Sequence, residues 1–121
     1  MRLWVALGSI NAFLSVAAGA FGAHALKARL APALLEVFET AARYQFYHAL
    51  GLFAVAWGVT QGLRLEAAGW LMTVGILLFS GSLYALALTG IRALGAITPL
   101  GGLCFLAAWA FVLWAALRPA V

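Results

Sequence analysis

Four long apolar stretches alternate with short polar connections along this chain. They cover residues 3–26, 44–62, 67–88 and 97–117. Each is close to the roughly 20 residues that a helix needs to cross a hydrocarbon core about 30 Å thick. Because lipid offers the backbone no hydrogen-bond partners, such stretches must form helices. The pattern therefore predicts an all-α integral membrane protein, in which residues 1–121 form a single transmembrane domain, a four-helix up-down bundle.

The longest polar segment, residues 27–43, separates the first two apolar stretches. Pro32 suits the first turn of a helix, and after it apolar residues repeat at helical spacing with glutamates on the opposite side. This pattern predicts an amphipathic, interfacial helix over residues 32–42, between spans one and two. A straight continuation to residue 62 would be longer than the hydrocarbon core, so we expect a bend at residues 40–43.

Small residues recur on one side of the first two spans. At about 100° per residue they form a narrow stripe, which lets two helix backbones approach closely in lipid. Asn11 and Ser15 lie on the stripe and are expected to hydrogen-bond across the contact. The predicted helix-packing residues are Gly8, Asn11, Ser15, Gly19 and Gly22 in the first span, and Gly51 and Gly58 in the second.

Polar side chains gather at one end of the predicted bundle, where spans one and three end and spans two and four begin. Polar groups at membrane depth are costly unless they have partners or a task. Two interpretations stay open: a hydrogen-bonded network that fixes the helices, or a binding site. Thr98 followed by Pro99 also reads as an N-cap with proline in the first helical turn. The candidate residues are His24, Arg43, Tyr44, Gln45, Tyr47, His48, Ser80, Ser82, Tyr84, Arg92 and Thr98.

Composition agrees with a membrane location. Hydrophobic residues make up 67% of the chain and charged residues 8%, too few for a water-exposed surface. The net charge of +4 comes from residues at helix ends and in connections, which favours contact with lipid phosphate over nucleic acid. The first apolar run is longer than that of a secretory signal, so we expect a retained helix. Cys104 is the only cysteine, which excludes an internal disulfide.

The sequence gives no reason to expect an enzyme or a bound cofactor. His24 and His48 are the only histidines, and no carboxylate lies within the spans to complete a metal or haem site with them. A nucleophile elbow, a phosphate-binding loop and paired carboxylates are also missing from the sequence. We therefore expect neither catalysis nor a metal.

Three strings in the chain are distinctive. They are GAFGAHAL at residues 19–26, TAARYQFYHALGL at 40–52, and FSGSLY at 79–84, which continues through LTGIR at 88–92 to GAITPLGG at 95–102. With these strings the chain resembles the domain-of-unknown-function 423 family, small four-helix membrane proteins of bacteria with relatives in eukaryotes. The resemblance implies a multi-pass protein of the inner or plasma membrane and supplies no catalytic residues.

Two functions remain after this reasoning. The first is a non-enzymatic bundle whose polar end binds an anionic lipid or a partner helix, with membrane lipids as partners and a homo-oligomer as one form of assembly. The alternative is a channel or transporter for a small solute, ion or proton. A wetted path through the interior would favour transport, and closure by apolar side chains below His48 would favour binding.

Overall fold

A computed structural model describes residues 1–118 of the chain, except for the side chain of Ala23. Within these residues the protein is helical and contains no strand. A 3₁₀ turn, Arg92–Ala96, precedes the last helix. The long helices are α1 (Arg2–Leu26), α2 (Pro32–Thr60), α3 (Glu66–Thr89) and α4 (Thr98–Leu117).

The helix ends follow from proline and glycine. Pro32 occupies the first turn of α2, where its missing N–H costs no hydrogen bond. At the other end of α2 the chain reverses at Gly62, whose φ of 83° is one that glycine adopts without strain. The N–H of Leu63 then donates to the carbonyl of Gly58 at 3.0 Å, as in a Schellman motif. Gly90, with φ of 72°, ends α3 in a left-handed conformation.

Three helices are both long and apolar enough to cross a membrane. They are α1, α3, and α4 together with its preceding turn, with mean hydropathies of 1.6, 2.0 and 2.1. These helices confirm the first, third and fourth predicted apolar spans as helices of membrane-crossing length. The remaining helix, α2, is the longest at 29 residues and has a charged first part.

The structure differs from the prediction of a separate interfacial helix over residues 32–42. That segment and the predicted second span form one unbroken helix, Pro32–Thr60. No glycine or proline lies between Pro32 and Gly51 to interrupt it. Thr40 also satisfies its hydroxyl within the helix, donating to the Glu36 carbonyl at 3.0 Å. Side-chain polarity changes along α2 without a break in the backbone.

The helices pack in chain order, α1 against α2, α2 against α3 and α3 against α4. Their shared core lies toward the end of the molecule where α1 begins and α4 ends. Leu52, Val55 and Met72 are fully buried there, beside Phe105 and Ala108. This layer closes the interior with apolar side chains.

Most of the predicted small-residue contacts exist. A Cβ added to Gly8 would lie 3.1 Å from the Ala49 carbonyl oxygen on α2, and one added to Gly51 would lie 2.8 Å from Met72 Sδ on α3. An added Cβ would collide with Phe38 at Gly22 and with Leu65 at Gly58. Gly8 thus allows the backbones of α1 and α2 to approach closely, and the other three glycines leave space for a neighbouring side chain.

Gly19 differs from its prediction as a packing residue. It is exposed, and a Cβ there would meet nothing within 4 Å. Gly19 lies within a π-helical segment, Ala18–Gly22, of α1. A π turn contains one residue more than an α turn, so α-helical spacing does not describe this segment, although Gly22 at its end still meets Phe38. A second π segment, Ile76–Ser80, interrupts α3.

Candidate functional site

A chain of hydrogen bonds joins three helices in the interior. Tyr84 of α3 donates its hydroxyl to Gln45 Oε1 of α2 at 2.7 Å. Gln45 Nε2 donates to Asn11 Oδ1 of α1 at 3.1 Å, and Asn11 Nδ2 donates to the Leu7 carbonyl at 2.9 Å. We call Asn11, Gln45 and Tyr84 the amide relay.

The direction of the amide relay is fixed by its last partner. A backbone carbonyl only accepts, so the Asn11 atom facing Leu7 must be the nitrogen, and its oxygen then faces Gln45. Gln45 must therefore present its nitrogen to Asn11 and its oxygen to Tyr84, which leaves Tyr84 as the donor. In this arrangement each amide nitrogen uses one of its two N–H bonds.

His48 links α2 to α4 in a similarly determined way. Its Nδ1 lies 2.8 Å from the Tyr44 carbonyl oxygen, and its Nε2 accepts from Trp109 Nε1 at 3.1 Å. A carbonyl can only accept and an indole N–H can only donate, so His48 is the neutral tautomer with its proton on Nδ1. Its ring also stacks on Phe105, with centroids 3.4 Å apart and planes within 6°. Both nitrogens and one face of the ring are thus engaged.

Two other buried hydroxyls, those of Ser80 and Ser82, join α3 to its neighbours, whereas Ser15 donates to the Ala12 carbonyl of its own helix at 3.3 Å and does not bond across the contact as predicted. Ser80, 1% exposed, donates to the Ala41 carbonyl of α2 at 2.8 Å. Ser82 lies 2.6 Å from the Thr98 hydroxyl of α4 and also donates to the Phe79 carbonyl. The N-cap predicted at Thr98 is not formed: Thr98 is already helical, and its hydroxyl bonds Ser82 instead of a backbone N–H.

The other candidate residues lie on the outside of the molecule. Tyr44 and Tyr47 are 38% and 51% exposed, and their rings meet edge to face. Arg43 is exposed and donates to the Thr40 hydroxyl at 3.3 Å, while His24 and Arg92 are also exposed. The predicted set thus divides into a buried, hydrogen-bonded group and an exposed group at the same end.

Sequence reasoning missed the partners of the buried group. Trp109 is not among the candidate residues, yet its indole donates to His48. Phe105, which stacks on His48, lies four residues earlier on the same face of α4. Helical spacing could have placed Phe105 and Trp109 together, but nothing in it indicates which residue of another helix they meet.

Two grooves flank α1, one on each side of its contact with α2. The first, of about 420 Å³, is called the basic groove. The second, of about 400 Å³, lies between α1 and α3 and is called the amide groove. The basic groove is lined by Ser15, Val16, Gly19, Glu39, Ala42, Arg43, Phe46 and Tyr47. The amide groove is lined by Asn11, Leu14, Ala18, Phe38, Gln45, Ile76, Leu77, Ser80, Gly81, Tyr84 and Leu88.

Comparison with known proteins identifies the family. Residues 18–102 match the family described as "Protein of unknown function (DUF423)". The chain belongs to this family. It is 49% identical to the UPF0382 membrane protein YwdK of Bacillus subtilis, with 98% of each chain covered. A UPF0382 membrane protein of Staphylococcus haemolyticus is 50% identical, with 90% of each chain covered. No solved structure matches the sequence.

The family match covers most of the buried polar group. Gln45, His48 and Tyr84 lie within residues 18–102, whereas Asn11 and Trp109, which complete their hydrogen bonds, lie outside. Across the described residues, every buried side-chain nitrogen or oxygen has a hydrogen-bond partner. No group of three or more metal-ligating side chains occurs in that part of the chain. The buried polar atoms of this part of the chain are thus engaged within the bundle.

Proposed function

We propose that this family member is a non-enzymatic, multi-pass protein of the bacterial inner or plasma membrane that binds the phosphate group of an anionic lipid at its basic groove. All four helices cross the bilayer in this proposal. From Arg43 to the end of α2 at Thr60 the helix has 18 residues, about 27 Å at 1.5 Å per residue, close to the thickness of the hydrocarbon core. The charged first part of α2 then lies beyond the hydrocarbon.

The observation that carries this proposal is the position of Arg43 on the basic groove. Arg43 is exposed at the end of the molecule that also presents Lys27, Arg29 and Arg92. Beside Arg43 the groove is lined by the apolar Val16, Ala42 and Phe46, and also by Ser15, Glu39 and Tyr47. An arginine next to apolar side chains matches the two ends of a lipid, because guanidinium binds phosphate bidentately.

The closed interior favours binding over the transport alternative. Below His48 the fully buried Leu52, Val55 and Met72 fill the space between helices. The polar groups above that layer are already hydrogen-bonded to neighbouring helices. Closure by apolar side chains below His48, among residues 1–118, supports the proposal of a binding protein.

The test measures lipid binding by two variants of the purified protein. Each variant lacks two arginines, at one end of the bundle or at the other. Arg43→Ala combined with Arg92→Ala removes two cations from the proposed end, and Arg2→Ala combined with Arg64→Ala removes two from the other. Each basic residue near an anionic surface contributes about 1 kcal/mol, so the first pair should weaken phosphatidylglycerol binding about 30-fold. Native mass spectrometry with phosphatidylglycerol and phosphatidylcholine measures this, and light scattering follows the oligomeric state.

The proposal requires the control pair, Arg2→Ala with Arg64→Ala, to change phosphatidylglycerol affinity much less than the Arg43 and Arg92 pair does. If both pairs of substitutions lower the affinity for phosphatidylglycerol equally, the lipid is attracted by the net charge of the protein alone. Unchanged affinity and oligomeric state in the Arg43→Ala, Arg92→Ala protein would refute a role for this end.

A further inference from the structure

The amide groove has a different chemistry from the basic groove. None of its lining side chains carries a charge at neutral pH, and its outer walls are the exposed Leu14, Leu77 and Leu88. These leucines are 48%, 68% and 58% exposed, so the groove opens sideways toward lipid. Its polar residues include the amide relay. A ligand reaching this groove comes from the bilayer and is favoured when it has no charge.

The amide relay specifies what such a ligand must offer. Asn11 Nδ2 donates one N–H to the Leu7 carbonyl, and Gln45 Nε2 donates one to Asn11 Oδ1. Each amide retains a second N–H, whereas the Tyr84 hydroxyl proton is committed to Gln45 Oε1. In hydrocarbon an N–H gains most from an acceptor, because water does not compete for it. The complementary group is a carbonyl oxygen.

The shape of the groove suits an extended chain. It holds about 400 Å³ between α1 and α3. From Leu77 to Leu88 its wall runs about 16 Å along α3 at 1.5 Å per residue, so its space is that of a single extended chain.

We infer that the amide groove binds an uncharged, single-chain lipid that carries a carbonyl group, with that carbonyl accepting from the amide relay. The chain lies against the leucine walls, and the two side-chain amides distinguish a carbonyl from a plain hydrocarbon. This site is independent of the phosphate site proposed at Arg43, since the two grooves lie on opposite sides of the contact between α1 and α2.

Two glycines provide matched variants. Gly81 lines the amide groove, where an added Cβ would meet only the Ile76 carbonyl at 4.0 Å, and Gly19 lines the basic groove, where it would meet nothing within 4 Å. Gly81→Leu therefore fills the amide groove without a backbone collision, and Gly19→Leu places the same side chain in the other groove. Ala18→Leu is a second variant that fills the amide groove.

The probes are 2-pentadecanone and pentadecane, which differ in the carbonyl, offered to the full-length protein in nanodiscs. The ketone should bind the unmodified protein at least about tenfold more tightly than the alkane, a difference near 1.4 kcal/mol. Its ¹³C-labelled carbonyl stretch should move to lower frequency on binding. Gly81→Leu and Ala18→Leu should abolish both effects, and Gly19→Leu should preserve them.

Several results would overturn the inference. Equal binding of ketone and alkane would show that the amides do not select the ligand. Ketone binding that survives both Gly81→Leu and Ala18→Leu would place it elsewhere. Displacement of the ketone by an equal amount of phosphatidylglycerol would mean that the groove takes ordinary phospholipid. Phosphatidylglycerol binding, measured on the same variants, should respond to Gly19→Leu and not to Gly81→Leu, which separates this inference from the proposed function.

Discussion

The hydrogen bond between His48 and Trp109 can be measured by a double-mutant cycle. His48→Phe keeps a flat ring against Phe105 but removes the acceptor for the Trp109 indole, which lies 3.1 Å from Nε2. Trp109→Phe removes the donor from the same pair. Each variant also changes packing, and the cycle cancels these separate changes because only the coupling between the two sites remains.

The expected coupling follows from the setting of the bond. Side-chain hydrogen bonds between membrane helices average about 0.6 kcal/mol and reach about 1.7. His48 is only 5% exposed and uses both ring nitrogens, so a value in the upper half of that range is expected. Each single variant should destabilise the protein by about 1–3 kcal/mol, because it leaves a polar group without its partner.

The assay is reversible unfolding in mixed micelles by titration with sodium dodecyl sulfate, followed by far-ultraviolet circular dichroism. A control cycle pairs Trp109→Phe with His24→Phe, since His24 is the other histidine and is exposed. Distant sites add within about 0.3–0.5 kcal/mol, which sets the resolution. If the His48 coupling is no larger than that of the control cycle, the neutral, doubly bonded tautomer deduced for His48 is wrong.

Three further outcomes are expected. Tyr84→Phe should lower the free energy of unfolding by about 0.6–1.7 kcal/mol in the same titration, since Gln45 Oε1 loses its donor; no loss would mean the relay does not hold the helices. Gly101→Ala should destabilise by about 1–3 kcal/mol because its Cβ would lie 2.7 Å from Phe79 Cα, whereas neighbouring Gly102→Ala, with a nearest contact of 3.9 Å, should be tolerated. Reporter fusions should place both termini on one side of the membrane, and termini on opposite sides would exclude four crossings.

The sequence predicts the helices well because their signal is local. Long apolar runs, Pro32 and the turn glycines act within a few residues of where they stand, and each lies at or near the expected helix end. It also predicts that Gln45 and Tyr84 lie toward the same end of the bundle. The sequence does not predict the hydrogen bond between them, because they are 39 residues apart. Their contact depends on the displacement of α2 along its axis relative to α3. Helical periodicity gives the face of a residue and leaves this displacement undetermined.

The two π segments show a second limit. Ala18–Gly22 contains two glycines and Ile76–Ser80 contains none, so no shared composition marks a π segment in this chain. Gly19 lies within the first segment and is exposed, although regular spacing puts it on the packing stripe. Residues of both segments line the amide groove, so the groove depends on a feature that the hydrophobic pattern does not encode.

The close contact of α1 with α2 connects the two grooves and yields a final prediction. Because α1 meets α2 through residues as small as Gly8, it approaches closely along a narrow line and leaves a groove on each side. Gly8→Leu should push α1 away from Ala49 and Phe53, since even a Cβ would lie 3.1 Å from each. The geometry of both grooves then changes together, so phosphatidylglycerol and 2-pentadecanone should both bind more weakly to a protein of unchanged helix content. If Gly8→Leu leaves both affinities intact while Gly19→Leu and Gly81→Leu each affect one, the grooves do not depend on this close approach, and the π segments alone must shape them.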